Sequence, residues 1–169
     1  GTDLINMKGI DTLAYDGVMA RMQSYLLMSH DDAAGQIVYD PDRDGVSVVW
    51  PNAGRTGPFA RDNALLSAAS DAIWADYLPN PMWSEAFGWQ VVTTHPIGGC
   101  RMADSPEAGV VDSDCRVFSG LGDAVHEGLM VCDGAVIPGS LGVNPFLTIS
   151  AVTIRAMDRL VARRGWTPN

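Results

Sequence analysis

Pro138-Gly139-Ser140-Leu141-Gly142-Val143-Asn144-Pro145-Phe146 is the stretch from which the fold can be read. Proline suits a first helical position, because its φ is already helical and its missing N–H is not needed there. Pro145 therefore opens a helix, and Asn144 before it fits the N-cap. The pattern runs through Val161, loads Arg159, Arg163 and Arg164 near its end, and stops at Gly165. Cations near the C-terminus and a glycine beyond it are how a helix ends. Its first half is apolar almost all round, which predicts burial. Gly139 and Gly142 let backbone come close to something at the helix start, where free N–H groups favour an electron-rich ligand. A capped core helix after an irregular loop fits the same residues.

Upstream of this stretch, Leu129–Cys132 reads as a short buried strand ending in the turn Asp133-Gly134. Gly120–Gly128 reads as a loop. Its Gly-x-Gly has no third glycine and no preceding βα context, so it is not a nucleotide fingerprint. Gly109–Val111 and Cys115–Phe118 look extended. Gln90–Thr94 reads as a strand leading into His95-Pro96-Ile97-Gly98-Gly99-Cys100. Phe59, Leu66, Ala69, Ile73 and Tyr77 recur at helical spacing over 58–78, with Pro79 and Pro81 as stops. Met82, Trp83, Phe87 and Trp89 form an aromatic cluster that suits a core or a ligand wall. Tyr25–Ser29, Gln36–Tyr39 and Val46–Trp50 are strand-like, and the short turns between them predict an antiparallel meander. In residues 1–24, Met7, Ile10, Leu13, Val18 and Met22 fit helical faces interrupted by glycines. The class expected is α+β.

The 169 residues carry a formal net charge of −9 and are 47% hydrophobic. That chain length can bury a core. The charge argues against nucleic acid and against anionic membrane surfaces. No apolar run is long enough for a transmembrane segment. Asp40-Pro41-Asp42-Arg43-Asp44-Gly45 imitates the start of a calcium loop, but Pro51 stands where a bidentate Glu is required. Cys100, Cys115 and Cys132 have no metal-ligand spacing, so no metal is expected. The chain opens on Gly1 without a signal peptide, and it is expected to be part of a longer protein. The compartment is left open.

Three blocks together carry a resemblance. They are His95–Cys100, then Leu129–Ser140 with its Asp133-Gly134, then Gly142–Ile149. In order and spacing they resemble the C-terminal part of the glucose–methanol–choline (GMC) flavin oxidoreductases, and most of all the cholesterol oxidase branch. The resemblance covers about residues 91–162, with a weaker likeness in 26–50. It implies that residues 1–108 are the C-terminal part of a substrate-binding domain with an antiparallel sheet. Residues 109–169 would supply the last strand and helix of an FAD domain. The N-terminal Rossmann unit with Gly-x-Gly-x-x-Gly is absent from this sequence, so the missing N-terminal half of the same protein is an expected partner.

The resemblance also implies chemistry. FAD takes a hydride from the CH–OH group of an alcohol, while protein groups position the hydroxyl and handle its proton. His95 and Asn144 match the pair that faces the flavin from the substrate side. An imidazole can hold or take a proton near neutral pH, whereas an amide only orients. Gly98, Asp133, Gly134, Asn144, Pro145 and Phe146 match cofactor-binding positions. The helix start would stabilise negative charge on the reduced ring by on the order of 1 kcal/mol. The catalytic glutamate typical of cholesterol oxidases would lie near or before the start of this chain and is not assigned, since Glu85, Glu107 and Glu127 are wrongly placed. The substrate implied is a small-molecule alcohol, a sterol or other bulky hydroxy compound. The alternatives are another GMC dehydrogenase, or an inactive fragment serving as a binding or interface module. A lone His after a strand also suits a structural role, and His30 and His126 are read that way.

Overall fold

A computed structural model describes residues 17–120 and 122–167. Met7, Ile10 and Leu13 lie outside the described residues. The elements in order are β1 (Gln36–Asp40), β2 (Gly45–Val49), α1 (Gly57–Ala72), β3 (Arg116–Phe118), β4 (Val125–Met130) and α2 (Phe146–Arg164). Short 3-10 turns occupy Val18–Arg21, Ala53–Arg55, Glu85–Phe87 and Gly134–Val136. The architecture is mixed α+β, with two separate antiparallel hairpins and two longer helices.

The first hairpin pairs Gln36 with Val49 and Asp40 with Gly45. The acidic turn closes it. Asp42 donates its N–H to Asp40 Oδ1 (3.0 Å), and Tyr39 donates its hydroxyl to Asp44 Oδ1 (2.7 Å). Asp44 takes φ +47°, which an aspartate tolerates in a turn. The third strand of the expected meander is not formed. Tyr25–Ser29 has no ladder, and the one hydrogen bond it makes among the described residues runs to a distant loop. Ser140 donates its hydroxyl to the Ser29 carbonyl at 2.5 Å, 111 residues away in sequence.

Helix α1 starts with proline in its first turn, as expected, but ends at Ala72 rather than near Leu78. Trp74 takes φ +60° and donates its N–H to the Asp71 carbonyl, while Ala75 donates to Ser70. That pair of bonds is a Schellman closure, with a tryptophan where glycine is usual. The expected strand Gln90–Thr94 has no ladder either. Left-handed Gly88 (φ +67°) and Trp89 (φ +59°) turn the chain just before it, so it enters no sheet. Trp89 is held instead by Trp83, edge-on with ring centroids 5.4 Å apart.

The core gathers in the C-terminal part. Val111, Cys115, Val136, Ile137 and Ala156 are buried, with Ile97, Met102, Leu141, Ile149 and Val152 packed against them. The segment after His95 lies alongside the turn after Asp133. Gly98, Cys100 and Met102 donate their N–H groups to the carbonyls of Gly134, Ala135 and Val136. Met102 also bridges to Val111, which bridges to Val117. Strand β4 begins at Val125, inside the stretch read as loop, and ends at Met130. Ser119 donates its N–H to the Ala124 carbonyl, which closes the hairpin early. The strand is largely exposed rather than buried, with Leu129 at 51%.

Helix α2 ends as expected. Gly165 takes φ +64° and donates to Ala162, and Trp166 donates to Val161. Its start differs from expectation. Among the described residues no side chain caps it, and Asn144 makes no hydrogen bond, so Asn144 is not a bonded N-cap. Pro145 carries helical angles (φ −82°, ψ −7°) and its carbonyl accepts from Ile149, so the turn is closed by backbone alone. Nor is the first half buried all round. Only the stripe Ile149, Val152, Ala156 and Met157 meets the core. That helical spacing covers one face and leaves Phe146, Leu147 and Ile154 exposed. Four arginines tie α2 down: Arg159 and Arg163 both meet Asp114, Arg155 meets the Ser113 carbonyl, and Arg164 meets Glu127.

Candidate functional site

The turn at Asp133 is built by its own side chain. Asp133 Oδ1 accepts the N–H of Ala135 at 2.8 Å and so caps the 3-10 turn Gly134–Val136. Gly134 then packs without room to spare. A Cβ there would lie 3.1 Å from the Pro96 carbonyl oxygen and 3.3 Å from Ile149 Cδ1. Gly98 takes φ +86°, a conformation that favours glycine, and donates to the Gly134 carbonyl at 3.4 Å. The loop after His95, the Asp133-Gly134 turn and the first turn of α2 therefore meet at Gly134.

Pro145 is buried beside this junction, while Asn144 and Phe146 are exposed. His95 is half-buried. Its backbone N–H donates to Thr93 Oγ1 (3.1 Å), and its Nδ1 lies 3.4 Å from Thr94 Oγ1. Nε2 has no partner among the described residues. No hydrogen bond joins His95 to Asn144. The imidazole that does reach the loop before Asn144 is His30, whose Nδ1 lies 3.0 Å from the Ser140 carbonyl oxygen. A groove of about 310 Å³ runs beside it, lined by Leu27, Met28, Arg61, Asp62, Leu65 and Gly142 among others. Behind the site, burial pushes the Cys115 thiol up to about 11, with Cys132 adding to it, and burial also raises Cys132. Both are neutral thiols at physiological pH. Among the described residues no three His, Cys, Asp or Glu side chains are grouped to hold a metal ion. No helix is long and apolar enough to cross a membrane, among the same residues.

The Gly-rich blocks that meet here also place the chain among known proteins. Residues 32–153 match the C-terminal model of the GMC oxidoreductases, and the chain belongs to the GMC oxidoreductase family. A cholesterol oxidase of Acinetobacter baumannii is 46% identical over 71 residues, 42% of this chain and 12% of that protein. A long-chain-alcohol oxidase of Arabidopsis thaliana is 33% identical over 91 residues, 54% of this chain and 11% of that protein. The dehydrogenase str4 of Strobilurus tenacellus is 34% identical over 116 residues, 62% of this chain and 17% of that protein. The chain thus spans between a tenth and a fifth of the length of these relatives. No solved structure matches it.

Proposed function

We propose that this chain is the part of an FAD-dependent alcohol oxidoreductase that brings substrate and flavin together. The observation carrying this reading is the junction at Gly134, where the His95–Gly98 loop, the Asp133 turn and the start of α2 converge. The residues fit the cofactor. Among the described residues no side chain caps helix α2, so its first N–H groups are open donors, and exposed Val143, Phe146 and Leu147 flank them. Open donors beside apolar surface suit the edge of a flat, electron-rich ring. Gly98, Asp133, Gly134, Asn144, Pro145 and Phe146 would line that ring and the chain attached to it. FAD, when bound, supplies the hydride acceptor.

The protein's own residues do the rest. His95 has its Nδ1 turned to Thr94, which leaves Nε2 to accept the substrate hydroxyl proton. Asn144, exposed one residue before Pro145, orients that hydroxyl by hydrogen bonding. The relatives named for cholesterol and for long-chain alcohols support a sterol or other bulky hydroxy compound as substrate. We assign residues 1–108 to a substrate-binding domain and 109–169 to the flavin domain. The rest of a longer parent protein would supply the nucleotide-binding βαβ unit.

The test uses the complete protein that carries this chain. It should purify with FAD, and residues 1–169 alone should bind FAD weakly or not at all. His95→Gln should slow single-turnover flavin reduction strongly with flavin still bound, and Asn144→Ala should slow it too. Parental reduction rates in both variants, or a parent without flavin, would overturn this reading.

A further inference from the structure

We infer that His30 is a positioning residue that clamps the Ser140–Gly142 loop and thereby sets the start of α2; this rests on the proposed role of Asn144. Three contacts carry it. His30 Nδ1 lies 3.0 Å from the Ser140 carbonyl oxygen, across 110 residues of sequence. A carbonyl oxygen only accepts, so Nδ1 carries the proton and donates. One residue earlier, the Ser29 carbonyl accepts from the Ser140 hydroxyl at 2.5 Å. On the other side of the ring, a Cβ at Gly142 would lie 2.7 Å from His30 Nε2. Gly142 also takes φ +65°, so a glycine there serves both the turn and the close approach.

The consequence reaches the proposed site through two residues of backbone. Gly142 is followed by Val143 and then by Asn144, whose side chain makes no hydrogen bond among the described residues. Among the described residues, Asn144 is therefore placed by the backbone on either side of it. Buried Pro145 fixes the far side. The near side is held by Ser29 and His30, from a segment that belongs to no sheet or helix. A displacement of about 1 Å in such a group costs up to about a hundredfold in rate.

Two measurements on the complete protein test this. The first is a stability cycle that needs no catalysis. Gly142→Ala should lower the melting temperature clearly more in the parent than in a His30→Ala background, where the clash with the imidazole is gone and only the cost of the left-handed backbone remains. Equal losses in the two backgrounds would overturn the clamp, whatever the flavin chemistry. The second is rescue. Asparagine places an amide nitrogen where Nδ1 stands, and glutamine places one where Nε2 stands. His30→Gln should slow flavin reduction roughly tenfold or more, and His30→Asn should restore most of it at unchanged melting temperature. Parental reduction in His30→Gln, or no rescue by His30→Asn, would overturn the positioning role. A coupled stability cycle with parental reduction in His95→Gln and Asn144→Ala would instead overturn the proposed chemistry and leave the clamp standing.

Discussion

Gly54 lies directly against the backbone of Trp89, where a Cβ on Gly54 would sit 2.0 Å from the Trp89 carbonyl oxygen. Gly54 is buried, and its own carbonyl accepts from the Trp83 indole at 2.5 Å. Arg55 covers the Trp89 ring at 5.7 Å. A methyl group here meets backbone and cannot be relieved by a rotamer change. Gly54→Ala should therefore destabilise the parent protein by about 3 kcal/mol. Denaturant unfolding checks this, and a loss within error of zero would show that the two segments separate freely.

The end of α1 offers the opposite case. Trp74 is 98% exposed and holds a left-handed conformation. Its side chain contributes almost no burial, while its Cβ makes that conformation costly. Trp74→Gly should stabilise by about 1 kcal/mol. A lower melting temperature for this variant would contradict the Schellman closure as its cause.

Asp114 sets an acid limit. The hydrogen bond from Arg159 holds its carboxyl below the ordinary 3.8, with Arg163 acting in the same direction. A depressed folded-state value stabilises the fold above the unfolded-state value, and that stability is lost as pH falls through the folded one. Asp114→Asn should thus melt a few degrees lower than the parent at pH 7. The gap should shrink below the ordinary carboxylate value. A gap that stays constant down to acid pH would refute the pairing.

The thiols should divide by reactivity. Cys115 is fully buried and its value is raised to about 11, so thiolate is scarce at pH 8. Under native conditions iodoacetamide should leave Cys115 unmodified, and unfolding should expose it. Rapid native labelling at Cys115, read by peptide mass mapping, would show that this core opens.

What could be read in advance depended on whether the signal was local. The end of α2 was legible because the glycine closure at Gly165 acts within the last turn. The hairpin was legible because its acidic turn closes it. Tyr25–Ser29 and Gln90–Thr94 look like strands because apolar runs read alike whether or not they find a ladder. The stop at Ala72 was hidden, since a left-handed tryptophan leaves no mark in a sequence. The site divides the same way. The close approach expected at Gly139 and Gly142 is met at Gly142, where a Cβ would lie 2.7 Å from His30 Nε2, and not at Gly139, where a Cβ would meet no described atom within 4 Å. The contact of His30 with Ser140 had no local sign, because a single histidine does not reveal a partner 110 residues away.

The pairing of Gly98, Cys100 and Met102 with Gly134, Ala135 and Val136 also bears on how the chain is made. During synthesis the first partners leave the ribosome well before the second, so residues 98–102 wait with their N–H groups unpaired. Closing that long loop precedes any gain from the contacts it makes. Helix α2, whose backbone bonds are all local, emerges later still and can form at once. The proposed site is thus among the last features of this region to be completed, and a chain released early, before Val136, would never assemble it.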